Sequence, residues 1–302
     1  MSEMPEPTQT LYILDGTAML FRSYFGKFRK TNPDGVEVGA VMGMTMYTAK
    51  FIKTVKPQYL AAVFDAGRLT FRNEIDPQYK ANRGEPPDDL IPQFGLAPEA
   101  MTALGIRHFS MKGYEADDLM ATLATRMESQ GFQTVLAATD KDLLQCIRPG
   151  VWCMDMKTFG LIGPNEVMTK YGVRPDQMID LQSLVGDSTD NISGVRGIGS
   201  KGASRLLTEL GSLDEIYNQL SEVATLPIRG AKSLAQKLSD GRSDAAHARR
   251  LVTLKKDVPS PDVMNLHPTD LRYGGANKNG LPFFDRMGFH GPWRALHQLG
   301  QT

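Results

Sequence analysis

The stretch "GYEADD" at residues 113–118 sets Glu115, Asp117 and Asp118 within four positions. Carboxylates this close repel one another, which raises their pKa values unless a cation neutralises them. Further acids stand at the ends of short apolar runs: Asp15 closes "TLYILD", Asp65 closes "YLAAVFD", and Asp140 closes "TVLAATD", with Asp142 two residues on. Asp187 and Asp190, three apart, precede a glycine-rich turn in "LVGDSTDNISGVRGIGSKGASRLL". One acid at a helix start is ordinary capping and dipole chemistry. So many together point to a divalent cation, and an all-oxygen donor set suits Mg²⁺ or Mn²⁺ better than zinc.

The elements that must position these acids follow from periodicity. The three apolar runs are rich in β-formers and read as strands, with the helical pattern "VGAVMGMTMYTAKFIKTV" between the first two. Strand, helix, strand predicts an α/β fold with a mostly parallel central sheet flanked by helices. Ligands in such sheets bind beyond the carboxyl ends of the strands, which is where Asp15, Asp65 and Asp140 fall. "RHFSM" (107–111) reads as another strand and "YEADDLMATLATRMESQG" as the helix after it, so Glu115 and Asp118 share a face at its beginning. Met42, Met44 and Met46 are expected as core filler. Gly197, Gly199 and Gly202 satisfy G-x-G-x-x-G, yet they follow a polar acidic loop instead of a strand, so the dinucleotide fingerprint fails its context. The spacing predicts helix, glycine hairpin, helix, with Lys201 and Arg205 on the second helix and backbone N–H groups able to hold a phosphate without reading bases.

Composition bounds the class. The 302 residues are 41% hydrophobic and 23% charged with a formal net charge of zero, ordinary for a globular protein. "MSEMPEPTQT" lacks the basic end and apolar run of a signal peptide, and no stretch nears 18 unbroken apolar residues, so no secretion, no membrane span and a cytoplasmic location are expected. Cys146 and Cys153 form no CxxC and are expected as reduced core thiols. His108 is expected as a strand or surface residue. Local charge is uneven: "RSYFGKFRK" carries Arg22, Lys27, Arg29 and Lys30 with no acid, and residues 229–256 carry eight Lys or Arg against Asp240 and Asp244. Such strips suit phosphate backbones.

Together "DGTAMLFRSYF", "VFD", "FRNEIDPQYKANR", "YEADD", "TDKDLLQ" and "GDSTDNISGVRGIGSKGA" resemble, in order, the 5′-nuclease (flap endonuclease) family, closest to the 5′→3′ exonuclease domain of bacterial DNA polymerase I. The resemblance runs from about Leu11 to Pro259. It implies that Asp15, Asp65, Glu115, Asp117, Asp118, Asp140, Asp142, Asp187 and Asp190 surround two or more divalent metals, Mg²⁺ with Mn²⁺ as substitute, and Asp117 is expected at a position shared between them. Lys80 and Arg83 match the basic pair facing the scissile phosphate, with Arg72 and Tyr79 on the same wall. The glycine turn, with Gly194, Gly197, Gly199, Lys201 and Arg205, matches the helix-hairpin-helix element that grips duplex phosphates and in relatives holds K⁺. Residues 68–104 match a helical arch for a single-stranded 5′ end.

The implied organisation is a nuclease core over 8–176, a helix-hairpin-helix region over 177–270, and a closing helix with tail over 271–302. Phe21 stands where polymerase-type relatives usually carry tyrosine, which would keep a stacking surface for a base beside Arg22 but lose a hydroxyl. No polymerase domain follows, so a freestanding nuclease and a fragment remain alternatives, with a DNA polymerase as a conceivable partner and a monomer expected. The expected reaction is metal-assisted hydrolysis of DNA near the 5′ end of flaps, nicks or branched duplexes, in replication and repair, using metals about 4 Å apart. An RNA-cutting relative of the PIN-like proteins leaves the hairpin unexplained. A non-catalytic DNA-structure binder should have lost carboxylates or "YKANR", and neither is lost.

Overall fold

A computed structural model describes residues 9–227 and 230–298. The expected core start at residue 8, position 229 of the basic run and the end of the tail over 271–302 lie outside the described residues. Strand β1 (Thr10–Asp15) is buried along its whole length, as suits the centre of a parallel sheet. It runs into α1 (Gly16–Phe25), then α2 (Gly39–Val55), β2 (Tyr59–Val63), α3 (Phe71–Ile75), α4 (Ile91–Ala103), β3 (Arg107–Phe109), α5 (Ala116–Glu128), β4 (Gln133–Ala137), β5 (Val151–Met154) and β6 (Leu161–Ile162). The sheet order is β3-β2-β1-β4-β5-β6, parallel except for the antiparallel edge strand β6. Strand order therefore reverses at β1, whose carboxyl end is the switch point where open α/β sheets place ligands.

Alternation along β1 feeds two cores. Leu11 and Ile13 join Ala61, Val63 and Leu136 under α5, whereas Tyr12 and Leu14 join Leu60, Ala62, Val135 and Ala137 under α1, α2 and α4. In the methionine stripe, Met44 is buried and Met42 partly so, but Met46 is 48% exposed and is not core filler. Cys146 and Cys153 are free and buried. His108 lies in β3, its ring edge-on to Phe64.

The remaining elements are mainly helical: α6 (Pro164–Tyr171), α7 (Met178–Val185), the short ribbon β7 (Gly186–Asp187) and β8 (Ile192–Ser193), α8 (Ser200–Leu210), α9 (Leu213–Asn218), α10 (Leu220–Val223), α11 (Ala231–Asp240), α12 (Arg242–Val252), α13 (Pro261–Met264), α14 (Leu281–Met287) and α15 (Gly291–His297). The glycine turn thus joins α7 to α8. Its tightness depends on Gly186 (φ +77°) and Gly194: a Cβ on Gly194 would lie 2.3 Å from the Gly186 nitrogen. The ribbon closed by these two glycines carries Asp187 and Asp190 back toward the sheet edge.

The segment expected as an arch divides in two. From α3 to Arg83 it lies over the carboxylates, with 81–85 exposed. Helix α4 is instead built into the core: Ala97, Ala100 and Met101 are buried, and buried Gln93 accepts the Val41 N–H at 3.1 Å.

Candidate active site

The acids arrive from three directions. Asp15, the last residue of β1, accepts the Ala18 N–H at 2.8 Å and so caps α1. Asp65 follows β2; its backbone N–H donates to Thr17 Oγ1 and its Oδ1 accepts the Ala116 N–H, both at 2.8 Å, which ties the ends of β1 and β2 to the start of α5. Asp140 follows β4 and accepts the Asp142 N–H at 2.9 Å, turning the chain so that Asp142 faces the ribbon. One oxygen from each of Asp142, Asp187 and Asp190 lies within 4.8 Å of the others.

Their electrostatics report crowding. Burial, with the charges of Asp65 and Asp140, pushes Asp15 up to about 7 even though the Ala18 N–H opposes the shift. Burial and then Asp140 push Asp142 up to about 7. Asp117 is raised well above the ordinary carboxylate range by burial, then by Asp140, Asp15, Asp142 and Glu115. Asp65, although open to solvent on one side, is raised by loss of hydration where protein surrounds its carboxylate and by Glu115. Eight of the nine predicted acids, Asp15, Asp65, Glu115, Asp117, Asp140, Asp142, Asp187 and Asp190, each feel or exert the charge of at least one other in this set.

The ninth, Asp118, departs from the expectation. It is fully buried, and its oxygens accept Arg72 Nη1 at 2.7 Å and Nη2 at 2.9 Å, the Glu115 N–H at 3.1 Å and the Lys255 N–H at 2.8 Å. With its lone pairs so taken, it serves as the capping acid of α5 and the partner of Arg72. Arg72 departs with it. At 1% exposure it presents no face to a substrate; its Nε donates to the Leu251 carbonyl at 2.7 Å, and its guanidinium also reaches Glu115 at 3.4 Å. Arg72 is a positioning residue, anchoring α5 and α12 together.

The rest of the basic wall lies on the acids. Lys80 Nζ reaches Glu115 at 2.6 Å and Asp190 at 3.5 Å, and Arg83 pairs with Asp190. Burial alone would lower Lys80, but Glu115 and Asp190 overcome it and the net shift is upward, keeping the ammonium charged. Buried Tyr79 donates toward Glu115 at 3.0 Å and Asp190 at 3.2 Å; its phenol is pushed up by burial and by those charges, so it stays neutral. Lys80 itself takes a left-handed backbone (φ +57°), held by its N–H on the Asp190 carbonyl at 2.9 Å. Asn82 on the Ser188 carbonyl and Asn191 on the Gln78 carbonyl, at 2.9 and 2.7 Å, staple this loop to the ribbon.

Sequence reasoning missed these asparagines, and it missed Lys141 and Gln182. Lys141 pairs with Asp187 at 2.9 Å; the cation inside "TDKD" was a visible signal. Gln182 donates to Asp142 at 2.5 Å from α7, and nothing local marked it.

The predicted phosphate-binding residues lie on the surface of the turn: Gly197, Gly199, Lys201 and Arg205 are exposed and Gly194 half-buried. Lys237 Nζ donates to the Gly197 carbonyl at 3.0 Å. On α1, Arg22 is exposed over the Tyr47 ring, while Phe21 packs against Phe94 and stacks on Phe25. Phe25, at 67% exposure, is the more open ring of this helix, and the sequence had not singled it out.

Residues 10–172 match the family described as the 5′-3′ exonuclease N-terminal resolvase-like domain, and residues 173–279 its C-terminal SAM fold. The chain belongs to the 5′-3′ exonuclease family. That is the family the sequence motifs resembled. DNA polymerase I of Rhizobium leguminosarum is 38% identical over 82% of this chain, which spans 25% of that protein's length. A 5′-3′ exonuclease of Buchnera aphidicola subsp. Acyrthosiphon pisum (strain APS) is 33% identical over 82% of this chain and 87% of its own length. The solved structure of T5 5′-exonuclease, described with bound divalent zinc ions, shares the fold at a TM-score of 0.71 and 23% identity, covering 87% of this chain and 98% of that one. Among the described residues, no helix is long and apolar enough to cross a membrane.

Proposed function

We propose that the chain is a structure-specific 5′ nuclease that hydrolyses DNA phosphodiesters at or near the 5′ end of flaps, nicks and branched duplexes. The observation that carries this reading is the clustering of carboxylates, several pushed far above their ordinary pKa, at the carboxyl ends of β1, β2 and β4. The donor set fits hard dications: it is all oxygen, it is crowded enough to need positive charge, and Asp142, Asp187 and Asp190 can converge on one ion. Asp15, Asp65, Glu115, Asp117, Asp140, Asp142, Asp187 and Asp190 would hold Mg²⁺ or Mn²⁺, with Asp117, coupled to four other acids, between two such ions. When bound, such ions lower the pKa of a water and stabilise the leaving oxygen.

The chain's own side chains do the rest. Lys80 and Arg83 sit on the acids now, and both can turn to a phosphate that enters beside them, offsetting charge that builds in the transition state. Tyr79, neutral and buried, fixes Glu115 and Asp190. Lys201, Arg205 and the backbone of Gly194, Gly197 and Gly199 would hold duplex phosphates, which sets register without reading sequence. A K⁺ would be held at that same turn, where the Lys237 ammonium already donates to the Gly197 carbonyl. Phe21 and Arg22 would flank the DNA path, with Phe25 the more open ring.

On this reading 8–176 is the nuclease core with the threading segment near 68–104, 177–270 the duplex-binding region, and 271–302 its closing helix and tail. The protein would act as a monomer in the cytoplasm in replication and repair, alone or joined to a polymerase. The test is gel analysis of 5′-labelled and 3′-labelled flap substrates with Mg²⁺. Cleavage near the branch from the 5′ side is expected, and products shortened from the 3′ end would overturn the assignment.

A further inference from the structure

We infer that the groove between α3, α9 and α12 binds an unpaired strand of nucleic acid, a second contact outside the carboxylate site and outside the glycine turn. The groove encloses about 690 Å³. Arg242, Arg249, Arg250 and Lys255 line it against one carboxylate, Asp214, and Arg249 already pairs with that acid at 2.7 Å. Among the described residues Arg242, Arg250 and Lys255 pair with no carboxylate; Arg242 lies 5.2 Å from the Tyr217 ring and Lys255 5.6 Å from the Phe71 ring.

Cations set over aromatic rings within one groove suit a single strand. The cations meet phosphates and the rings meet base faces that a duplex keeps inside its stack. Position supports the same occupant. Phe71 donates its N–H to the Gly113 carbonyl at 2.9 Å, and its ring lies 5.7 Å from that of Tyr114, the residue before Glu115. The groove is thus linked through two mutually tilted rings to the start of α5, where the carboxylates gather. The Arg242, Ala246 and Arg249 spacing places one stripe of α12 along it, with Thr253 just past the helix end.

This inference rests on the nuclease reading for the identity of the ligand, but its test reads binding and not cutting. Anisotropy of a labelled oligothymidine of about 12 nucleotides and of a blunt duplex, on the full chain in Ca²⁺, compares the parent with R242A/R250A and with Y217L. The double variant is expected to bind the single strand about tenfold more weakly, with a salt slope shallower by about 1.4 for two lost phosphate contacts. Y217L keeps every charge and is expected to lose about tenfold on the single strand alone. Duplex affinity should stay within about twofold in both, and a thermal melt confirms that each variant is folded. An oligomer carrying 5-iododeoxyuridine should photo-cross-link to Tyr217 or Phe71. Equal losses on strand and duplex would make the groove an ordinary duplex contact and overturn the proposal. So would unchanged strand affinity, or cross-links confined to other sites. A parent chain that binds the strand but never cleaves a flap would sink the nuclease reading and leave the groove standing.

Discussion

Arg72 grips Asp118 with two guanidinium nitrogens at 2.7 and 2.9 Å, and both side chains are withdrawn from solvent. Removing one member of a buried pair strands the other charge, which costs about 3–5 kcal/mol, whereas replacing both by apolar groups of similar volume is often neutral. Arg72→Ala is therefore expected to lower unfolding stability by about 3–5 kcal/mol, while Arg72→Met with Asp118→Leu recovers only part of it, because the Glu115 and Lys255 N–H groups lose their acceptor. Denaturant melts of the two variants check this. A catalytic Arg72 would instead give a stable protein with slow chemistry.

Lys80 and Arg83 make the contrasting case, since both are partly open to solvent and both reach the acid cluster. Replacing either by alanine should slow single-turnover flap cleavage by about a hundredfold or more, the scale of a lost transition-state donor. Stability should change little by comparison with Arg72→Ala. Single-turnover rates that match the parent would mean that the two cations only neutralise Glu115 and Asp190.

The sheet and its acids were legible because both signals are local. Apolar runs ending in aspartate mark strand ends, and a parallel sheet gathers those ends on one edge. The glycine turn was legible for a similar reason, since its context separated it from a dinucleotide site. Asp118 and Arg72 were not. In sequence Asp118 is one more acid in "EADD", and what takes it out of the metal set is an arginine 46 positions away. Arg72 in turn is fixed by the Leu251 carbonyl, 179 positions on. Residue type announces that a carboxylate wants a cation; only packing decides whether the cation is a guanidinium or a metal. Gln182 and the staples Asn82 and Asn191 were hidden likewise, because an amide that meets its partner across the fold leaves no periodic trace.

Asp142, pushed up to about 7, makes a pH-dependent contribution. A carboxyl whose folded pKa exceeds its unfolded value near 3.9 binds more protons in the native state, so its contribution to stability falls as pH rises from about 4 to about 7. In a chelator, Asp142→Asn should therefore gain over the parent in melting temperature as pH is raised from 5 to 8. The replacement amide can still accept from Gln182. Added Mg²⁺ should shrink or reverse that advantage by stabilising the parent. An advantage that is flat from pH 5 to 8 in chelator would show that Asp142 is not held protonated by its neighbours.

Asp117 is the most informative single position, because it is coupled to Asp140, Asp15, Asp142 and Glu115 and makes none of the contacts that fix Asp118. Asp117→Asn keeps nearly the same shape and removes the charge that would balance a divalent ion. In chelator the variant should be no less stable than the parent, since one member of a crowded set of carboxylates is gone and repulsion falls. Flap affinity in Ca²⁺ should survive, because the phosphate contacts expected of the glycine turn and Lys201 do not pass through Asp117. Single-turnover cleavage in Mg²⁺ should be lost. A variant that still cuts within about tenfold of the parent, a barrier change of only about 1.4 kcal/mol, would reduce Asp117 to an acid favoured by the α5 dipole. A variant that melts lower in chelator and loses DNA together would give the residue a structural role instead.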